Sequence, residues 1–337
     1  MATPTSRTSF TIGTRKSKLA LEQTELVRAE LKKAYPDYDF QIFSKETAGD
    51  LNTTIALKDF TSKNLWTEEL EELMIAGQVD FIVHSLKDVP TLLPDTCTLG
   101  PMMPREDNRD VLVVKQGLSF KSLEEIPAGS VVGTSSIRRT AQLARKYPHL
   151  KVQDIRGNIG TRLAKLDAED SPYTCIVIAA AGLLRLDLEN RITQYLSSKN
   201  GGMLYAVGQG ALGIEIRKND TQLQEMLNGI SHQETTYACL AERNLLRTLE
   251  GGCSAPLGVE SEWIQGSDGS KKLRMRSVVV SVDGQQAAQV ELDGDVNSPE
   301  SAEAFGVTVA NALVADGAGA ILEEIQRKKL VKDNVSS

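Results

Sequence analysis

Three times in the first half of the chain an extended run gives way to a helical pattern, and each join carries arginine or lysine. Phe10 to Thr14 meets Arg15-Lys16-Ser17-Lys18, Ser130 to Thr134 meets Ser135-Ser136-Ile137-Arg138-Arg139, and Lys151 to Ile155 meets Arg156 to Arg162. Parallel strands need a crossover connection, which a helix supplies, so this alternation predicts parallel α/β domains. After the first join, Ala20, Thr24, Val27, Leu31 and Ala34 recur at steps of four and three, one face of a helix. Tyr35-Pro36 ends it, because a residue before proline avoids the helical region. Thr174 to Ala179 is almost continuously apolar, as in a strand buried on both faces.

A chain of 337 residues exceeds one ordinary core. The pattern divides it into an α/β domain from 1–113 with 212–233, a second from 114–211, and a small α+β domain from 234–337. Val79 to His84 and Gly213 to Ile216 read as further strands of the first. Lys45 to Lys63 is polar and without period, and is expected to be a loop or lid. Ser122 with Glu125, and Ser231 with Glu234, have capping-box spacing. The second pair precedes a helix whose face is Ala238, Ala241, Leu245 and Leu249. Beyond it, Leu273 to Val282 and Gln286 to Leu292 read as an antiparallel pair turning at Asp283-Gly284. Ser298 before Pro299 caps a helical region running to about Lys329.

Several function classes are excluded or unsupported. A net charge of −7 argues against a nucleic-acid coat, so any anion site must be local. Met1 to Phe10 lacks an export pattern and no 18 apolar residues run together, so the expectation is a cytoplasmic protein without membrane contact. A monomer is expected. Cys97, Cys175, Cys239 and Cys253 form no C-x-x-C pair, and His84, His149 and His232 are the only histidines, so no metal site is expected. Ala206 to Gly213 is glycine-rich, but no G-x-G-x-x-G opens a helix after a strand and no Walker A sequence is present.

Cations at a helix start oppose its dipole, at a cost of up to about 1 kcal/mol each, so something anionic is expected at the basic joins. Helix-start N–H groups, nearby hydroxyls and guanidinium forks together suit carboxylates as well as phosphates. Solvated surface charge explains any single join as well, but three together weigh against it. Asp88 lies just past the carboxyl end of an apolar strand, where open α/β sheets place ligands. Glu250-Gly251-Gly252-Cys253-Ser254-Ala255-Pro256 reads as a helix stopped by glycines, which hands Cys253 to a turn.

The motifs His84-Ser85-Leu86-Lys87-Asp88-Val89-Pro90, Gly133-Thr134-Ser135-Ser136-Ile137-Arg138-Arg139, Arg156-Gly157-Asn158, Val207-Gly208-Gln209-Gly210-Ala211 and Glu250-Gly251-Gly252-Cys253 occur in this order. Together they resemble porphobilinogen deaminase, also called hydroxymethylbilane synthase, from about Ile12 to Asp316. The resemblance implies two periplasmic-binding-protein-like α/β domains and a small α+β C-terminal domain. It implies head-to-tail condensation of four porphobilinogen molecules with release of ammonia, in haem and other tetrapyrrole biosynthesis. The primer it implies is dipyrromethane, bound by a thioether to Cys253. By matching position, Asp88 and Lys87 are catalytic. Arg138, Arg139, Arg156, Ser136, Asn158, Lys87 and Asp88 hold the cofactor, and Arg15, Ser17, Arg162, Lys63 and Gln209 the substrate. One departure falls in the lid, where Asp59 and Thr61 replace a lysine and a glycine frequent in relatives.

Two rival readings share some of these features. A solute receptor or regulator effector domain also joins two α/β halves around an anion cleft, but it would need an export signal or a DNA-binding segment. A cysteine-nucleophile transferase would need a base, and no histidine is near Cys253 in sequence.

Overall fold

The computed structural model describes residues 7–47, 67–249, 255–266 and 269–335, the last seven of these by backbone alone. Cys253, Lys63 and most of the stretch read as a lid lie outside the described residues.

The chain opens with β1 (Ser9–Arg15), α1 (Lys18–Ala34), β2 (Asp39–Lys45), α2 (Glu68–Ile75), β3 (Phe81–Ser85) and the short β4 (Cys97–Leu99). It crosses to β5 (Asp110–Val114), β6 (Val131–Gly133), α3 (Ile137–Lys146), β7 (Lys151–Gln153), α4 (Ile159–Asp167), β8 (Cys175–Ala179), α5 (Ala180–Leu184) and β9 (Gln194–Leu196). A second crossing returns it to β10 (Leu212–Arg217) and α6 (Thr221–Asn228).

Among the described residues these strands form two five-stranded sheets, ordered β2-β1-β3-β10-β4 and β7-β6-β8-β5-β9. The two lobes share one plan. β1 in one and β6 in the other are second in the order, each flanked by parallel neighbours, and a strand arriving from the other lobe follows. The short likeness of Ile12-Gly13-Thr14 and Val132-Gly133-Thr134 falls on matching positions, with Gly13 opposite Ile82 and Gly133 opposite Ile176.

The expectation of parallel sheets needs correction. β10 runs antiparallel to β3 and β4, and β5 antiparallel to β8 and β9. The reason is where these strands enter. Asp110 starts β5 beside Ala179, the end of β8, and Leu212 starts β10 beside Ser85, the end of β3. A strand entering from the facing lobe begins at the cleft, where the parallel strands finish, and so must run the other way. The expected division at 113 also falls inside β5, all of which pairs in the second sheet.

α1 buries Ala20, Gln23, Thr24, Val27 and Leu31, whereas Ala34 is exposed at its end. Each sheet packs its own apolar cluster, with Phe10, Ile12, Phe81 and Ile214 in the first lobe and Val111, Val113, Ile176 and Ile178 in the second.

The third unit comprises α7 (Gln233–Thr248), the antiparallel strands β11 (Leu257–Gln265), β12 (Lys271–Val280) and β13 (Ala287–Gly294), and the helices α8 (Pro299–Ala315) and α9 (Ala318–Val335). The expected pair of strands is therefore a sheet of three, ordered β11-β12-β13. The expected helical region divides at Gly317, whose φ of 105° suits glycine. Ser298 caps α8 with Pro299 at its start, as expected. Neither expected box caps as read. His232 caps α7, its Nδ1 accepting from Thr235 N at 3.3 Å, because Ser231 instead closes the preceding turn by donating to Asn228 O at 2.8 Å. Ser122 opens only a single turn of 3-10 helix and its side chain caps nothing.

Both inter-lobe connections are tied to the third unit at Glu242 of α7. Arg105, on the first connection, donates to Glu242 Oε1 at 2.7 Å and Oε2 at 3.0 Å, and its Nε donates to Gln209 O at 2.7 Å. On the second connection, Gly208 N donates to Glu242 Oε2 at 2.8 Å.

Candidate functional site

The carboxyl ends of β1, β3, β6 and β8 and the starts of β5 and β10 border one cleft. The basic joins of the sequence sit there, and the first thing the local structure explains is their polar residues. Ser17, Ser136 and Asn158 are the N-caps of α1, α3 and α4. Ser17 Oγ accepts from Ala20 N at 3.3 Å, Ser136 Oγ from Arg139 N at 3.5 Å, and Asn158 Oδ1 from Thr161 N at 2.9 Å. An N-cap needs a short acceptor side chain, so these residues are accounted for without any ligand. What remains for a ligand is the serine O–H and the asparagine N–H groups.

Arg138 and Arg139 also differ from expectation. They do not stand open at the helix start but are buried, 4% and 5% exposed, around the fully enclosed carboxylate of Asp110. Arg138 Nη1 donates to Asp110 Oδ2 at 2.7 Å, and Arg139 Nη2 to Oδ1 at 2.7 Å. Gln209 Nε2 adds a bond to Oδ1 at 2.8 Å and another to Asn108 O at 2.8 Å, which fixes the direction of its amide. Burial works to raise the Asp110 carboxyl, and Arg138 and Arg139 overcome it, holding the group well below the usual carboxylate range. Two guanidinium groups share one carboxylate, so a positive charge is left over. The Nε atoms of Arg138 and Arg139 and Oε1 of Gln209 are buried with no protein partner.

Lys87 and Asp88 lie in the single 3-10 turn, Leu86–Asp88, that follows β3. Lys87 is half-buried, and its ammonium is lowered to about 8 by burial and by the Arg139 and Arg138 charges, with Asp88 and Asp110 opposing. Arg162, in the first turn of α4, donates from Nε to Gly157 O at 2.8 Å. Burial lowers it to about 10, helped by Arg139 and Arg156 and opposed by Asp88 and Asp154. The same neighbours recur in both cases. Asp88 and Lys87 of the first lobe are thus within electrostatic reach of Arg138, Arg139 and Arg162 of the second. Arg15, the last residue of β1, lines a small cavity with Asp88, Ser85, His84, Gln23 and Thr67. A much larger open groove, lined by Arg7, Arg217, Lys218 and Asp220, lies at the other end of the first lobe's sheet, away from these residues.

The structure brings together Arg15, Lys87, Asp88, Arg138, Arg139 and Arg162, and anchors Gln209 beneath them. Asn158 is exposed at the cap of α4, and Arg156 precedes it. Sequence reasoning missed three members of the site. Asp110 was legible only as a charge at the head of an apolar run, and Arg185 only as a cation following α5. Arg185 Nη2 donates to Gly210 O at 2.8 Å while its buried Nε has no protein partner. The third is His84, whose Nε2–H donates to Glu215 Oε2 at 3.1 Å, both side chains being buried.

Two α/β lobes joined by paired connections, with Arg15, Lys87, Arg138, Arg139 and Arg162 gathered about Asp88 and Asp110 at the cleft, define a binder of anionic ligands equipped for charge-stabilising chemistry. Comparison with known proteins narrows the class. Residues 10–225 match the family model for "Porphobilinogen deaminase, dipyromethane cofactor binding domain", and residues 236–315 that for "Porphobilinogen deaminase, C-terminal domain". The chain is 50% identical to porphobilinogen deaminase of Schizosaccharomyces pombe, over 95% of this chain and 96% of that one. It is 48% identical to that of Saccharomyces cerevisiae, over 95% and 98%, and 47% identical to that of Synechococcus elongatus, over 93% and 94%. Among solved structures, the periplasmic aliphatic sulphonate binding protein SsuA from Escherichia coli aligns with 73% of this chain and 71% of its own at 13% identity and a TM-score of 0.37. The chain belongs to the porphobilinogen deaminase family. It is an enzyme of tetrapyrrole synthesis that polymerises porphobilinogen with a dipyrromethane cofactor.

Proposed function

We propose that four porphobilinogen molecules are joined head to tail in the cleft between the lobes, around Asp88, to give hydroxymethylbilane and ammonia. The observation that carries this is the set of buried guanidinium Nε atoms of Arg138, Arg139 and Arg185 that no protein group satisfies. Buried donors without partners are costly, at about 1–3 kcal/mol each, and a polycarboxylate ligand satisfies them. Dipyrromethane, with its carboxylate side chains, fits this donor set. Arg138, Arg139, Arg156 and Lys87 hold it, with Ser136 and Asn158 at the helix starts, and Cys253 binds it through a thioether. Bound there, dipyrromethane supplies the pyrrole carbon at which the product chain grows.

Arg15, Ser17, Arg162, Lys63 and Gln209 receive the incoming substrate. Asp88 provides a negative charge where positive charge develops as the amino group departs. Lys87 adds a cation beside it whose charge depends on pH near 8. The cleft needs no imidazole at Cys253, which acts as an anchor and not as a nucleophile that turns over. The protein works as a cytoplasmic monomer, without nucleic acid or membrane, and folds as three units.

Asp88→Asn tests the reading. The expected product is a protein that retains the mass of two pyrrole units in part of its molecules while turnover falls by orders of magnitude. Near-normal turnover would remove Asp88 from the reacting centre.

A further inference from the structure

His84 is one of three histidines in the chain, and nothing in the reading above uses it. It ends the buried part of β3, four residues before Asp88, and the side chain is 4% exposed. Its Nε2–H is held by Glu215, which stands on the neighbouring strand β10 and has no exposure at all. A carboxylate behind one imidazole nitrogen fixes the ring and its tautomer, leaving the other nitrogen to exchange a proton. His84 also lines the cavity it shares with Asp88, Ser85, Gln23, Arg15 and Thr67. That cavity measures about 20 Å3, room for a single water or ammonia molecule. Ser85, Gln23, Thr67 and Asp88 make its wall polar, as a water-sized molecule requires.

The chemistry at Asp88 leaves a proton to be moved. Joining a ring to the chain forms a C–C bond between the chain's terminal ring carbon and the incoming methylene, and breaks the methylene–nitrogen bond of the protonated amine. The nitrogen leaves as ammonia with the electron pair of that bond. The terminal ring carbon loses its hydrogen as a proton, and that proton converts ammonia to ammonium, so atoms and charge balance. Asp88 is poorly suited to carry the proton, because protonating it removes the negative charge that stabilises the cationic ring.

We propose that His84, positioned by Glu215, carries this proton from the ring carbon to the departing nitrogen across the cavity it shares with Asp88. This rests on Asp88 standing at the reacting centre. The other titratable groups around the pair are Glu71 on α2, Cys97 on β4 against Glu215, Arg15 at the end of β1 and Asp88 itself. Glu71 is raised by burial and then by the Glu215 charge.

The test compares His84→Gln, Glu215→Gln and Asp88→Asn with the wild-type holoenzyme. Intact mass first establishes that each carries its pyrrole units, and a wild type lacking them would count against the cofactor reading and not against this inference. For His84→Gln the expected result is a fall in kcat of about 100-fold, the usual scale of proton-transfer catalysis, with KM within about threefold and loss of the acid limb of kcat against pH. Asp88→Asn loses turnover at every pH. Nitrogen-15 NMR of the three imidazoles supplies a readout apart from activity. The signal missing from His84→Gln shows the Nε2–H tautomer in the wild type and moves in Glu215→Gln, where the partner carboxylate that fixes the tautomer is gone. Should His84→Gln fail to load or fold, the Glu215→Gln shift of the acid limb and of the imidazole signal decides alone. A wild-type acid limb in His84→Gln, or an imidazole signal unmoved by Glu215→Gln, would overturn the proposal.

Discussion

Asp110 is the point at which the site and the stability of the second lobe coincide, and replacing it by asparagine separates what each arginine needs. The carboxylate accepts from Arg138, Arg139 and Gln209, and all of these groups are buried. Asparagine keeps one oxygen acceptor but sets N–H donors against a guanidinium and removes the charge. Taking away one partner of a buried ion pair costs about 3–5 kcal/mol, because the surviving charges are left in a low-dielectric interior. Total stabilities are typically about 5–15 kcal/mol, so the loss is a large fraction. With a urea slope of about 2 kcal/mol per molar, the unfolding midpoint falls by roughly 2 M. The sign of the pH dependence is set by the depressed carboxyl. Its folded-state pKa lies below the unfolded value near 3.9, so its contribution is fully present above the unfolded pKa and is lost as pH falls through the folded one. The gap between wild type and Asp110→Asn should therefore be constant from about pH 5 to 8 and narrow below about pH 4. Urea titrations followed by circular dichroism at several pH values measure it. A variant within about 1 kcal/mol of wild type at pH 7, or a gap that widens towards acid, would refute the electrostatic account of the cluster.

Two other expectations follow from local geometry. Lys87 should lose its charge through about pH 8 in the ligand-free protein, whereas a bound polycarboxylate favours the charged form. KM should therefore rise with pH above 8, approaching tenfold per unit, and Lys87→Arg should flatten that rise, as steady-state kinetics from pH 7 to 10 would show. Gly306 lies where α8 crosses α7, and a Cβ there would stand 2.2 Å from Ala241 O. Gly306→Ala should destabilise the third unit by about 1–3 kcal/mol, although alanine without that contact would stabilise a helix by about 0.5–1 kcal/mol. The direction of the change in thermal midpoint decides between them.

What the sequence disclosed was local in origin. Strand and helix alternate with their own periods, so the two α/β lobes and the three basic joins could be read directly. The capping serine and proline of α8 were equally visible, because both act within a few residues. Strand direction was not legible, since it depends on β5 and β10 entering each lobe from the cleft. β11 was missed because Glu260, Ser261 and Glu262 interrupt its apolar pattern; Glu260 and Glu262 pair with Arg276 across the sheet. Within the site, residue types were legible but roles were not. Ser17, Ser136 and Asn158 looked like ligand groups, and each spends its side-chain acceptor on its own helix start. Arg138 and Arg139 looked open, and their hidden partner Asp110 lies 28 and 29 residues away. His84 and Glu215 are separated by 131 residues, and no spacing rule joins them.

The central claim is that the cleft's cations surround a primer anchored at Cys253. Intact-mass measurement of active, purified protein tests this most directly, with Cys253→Ala beside it. The account predicts that the wild type exceeds its polypeptide mass by two pyrrole units and that Cys253→Ala has the bare mass and no turnover. Active wild-type protein with the bare polypeptide mass, or Cys253→Ala still carrying the two units, would contradict it.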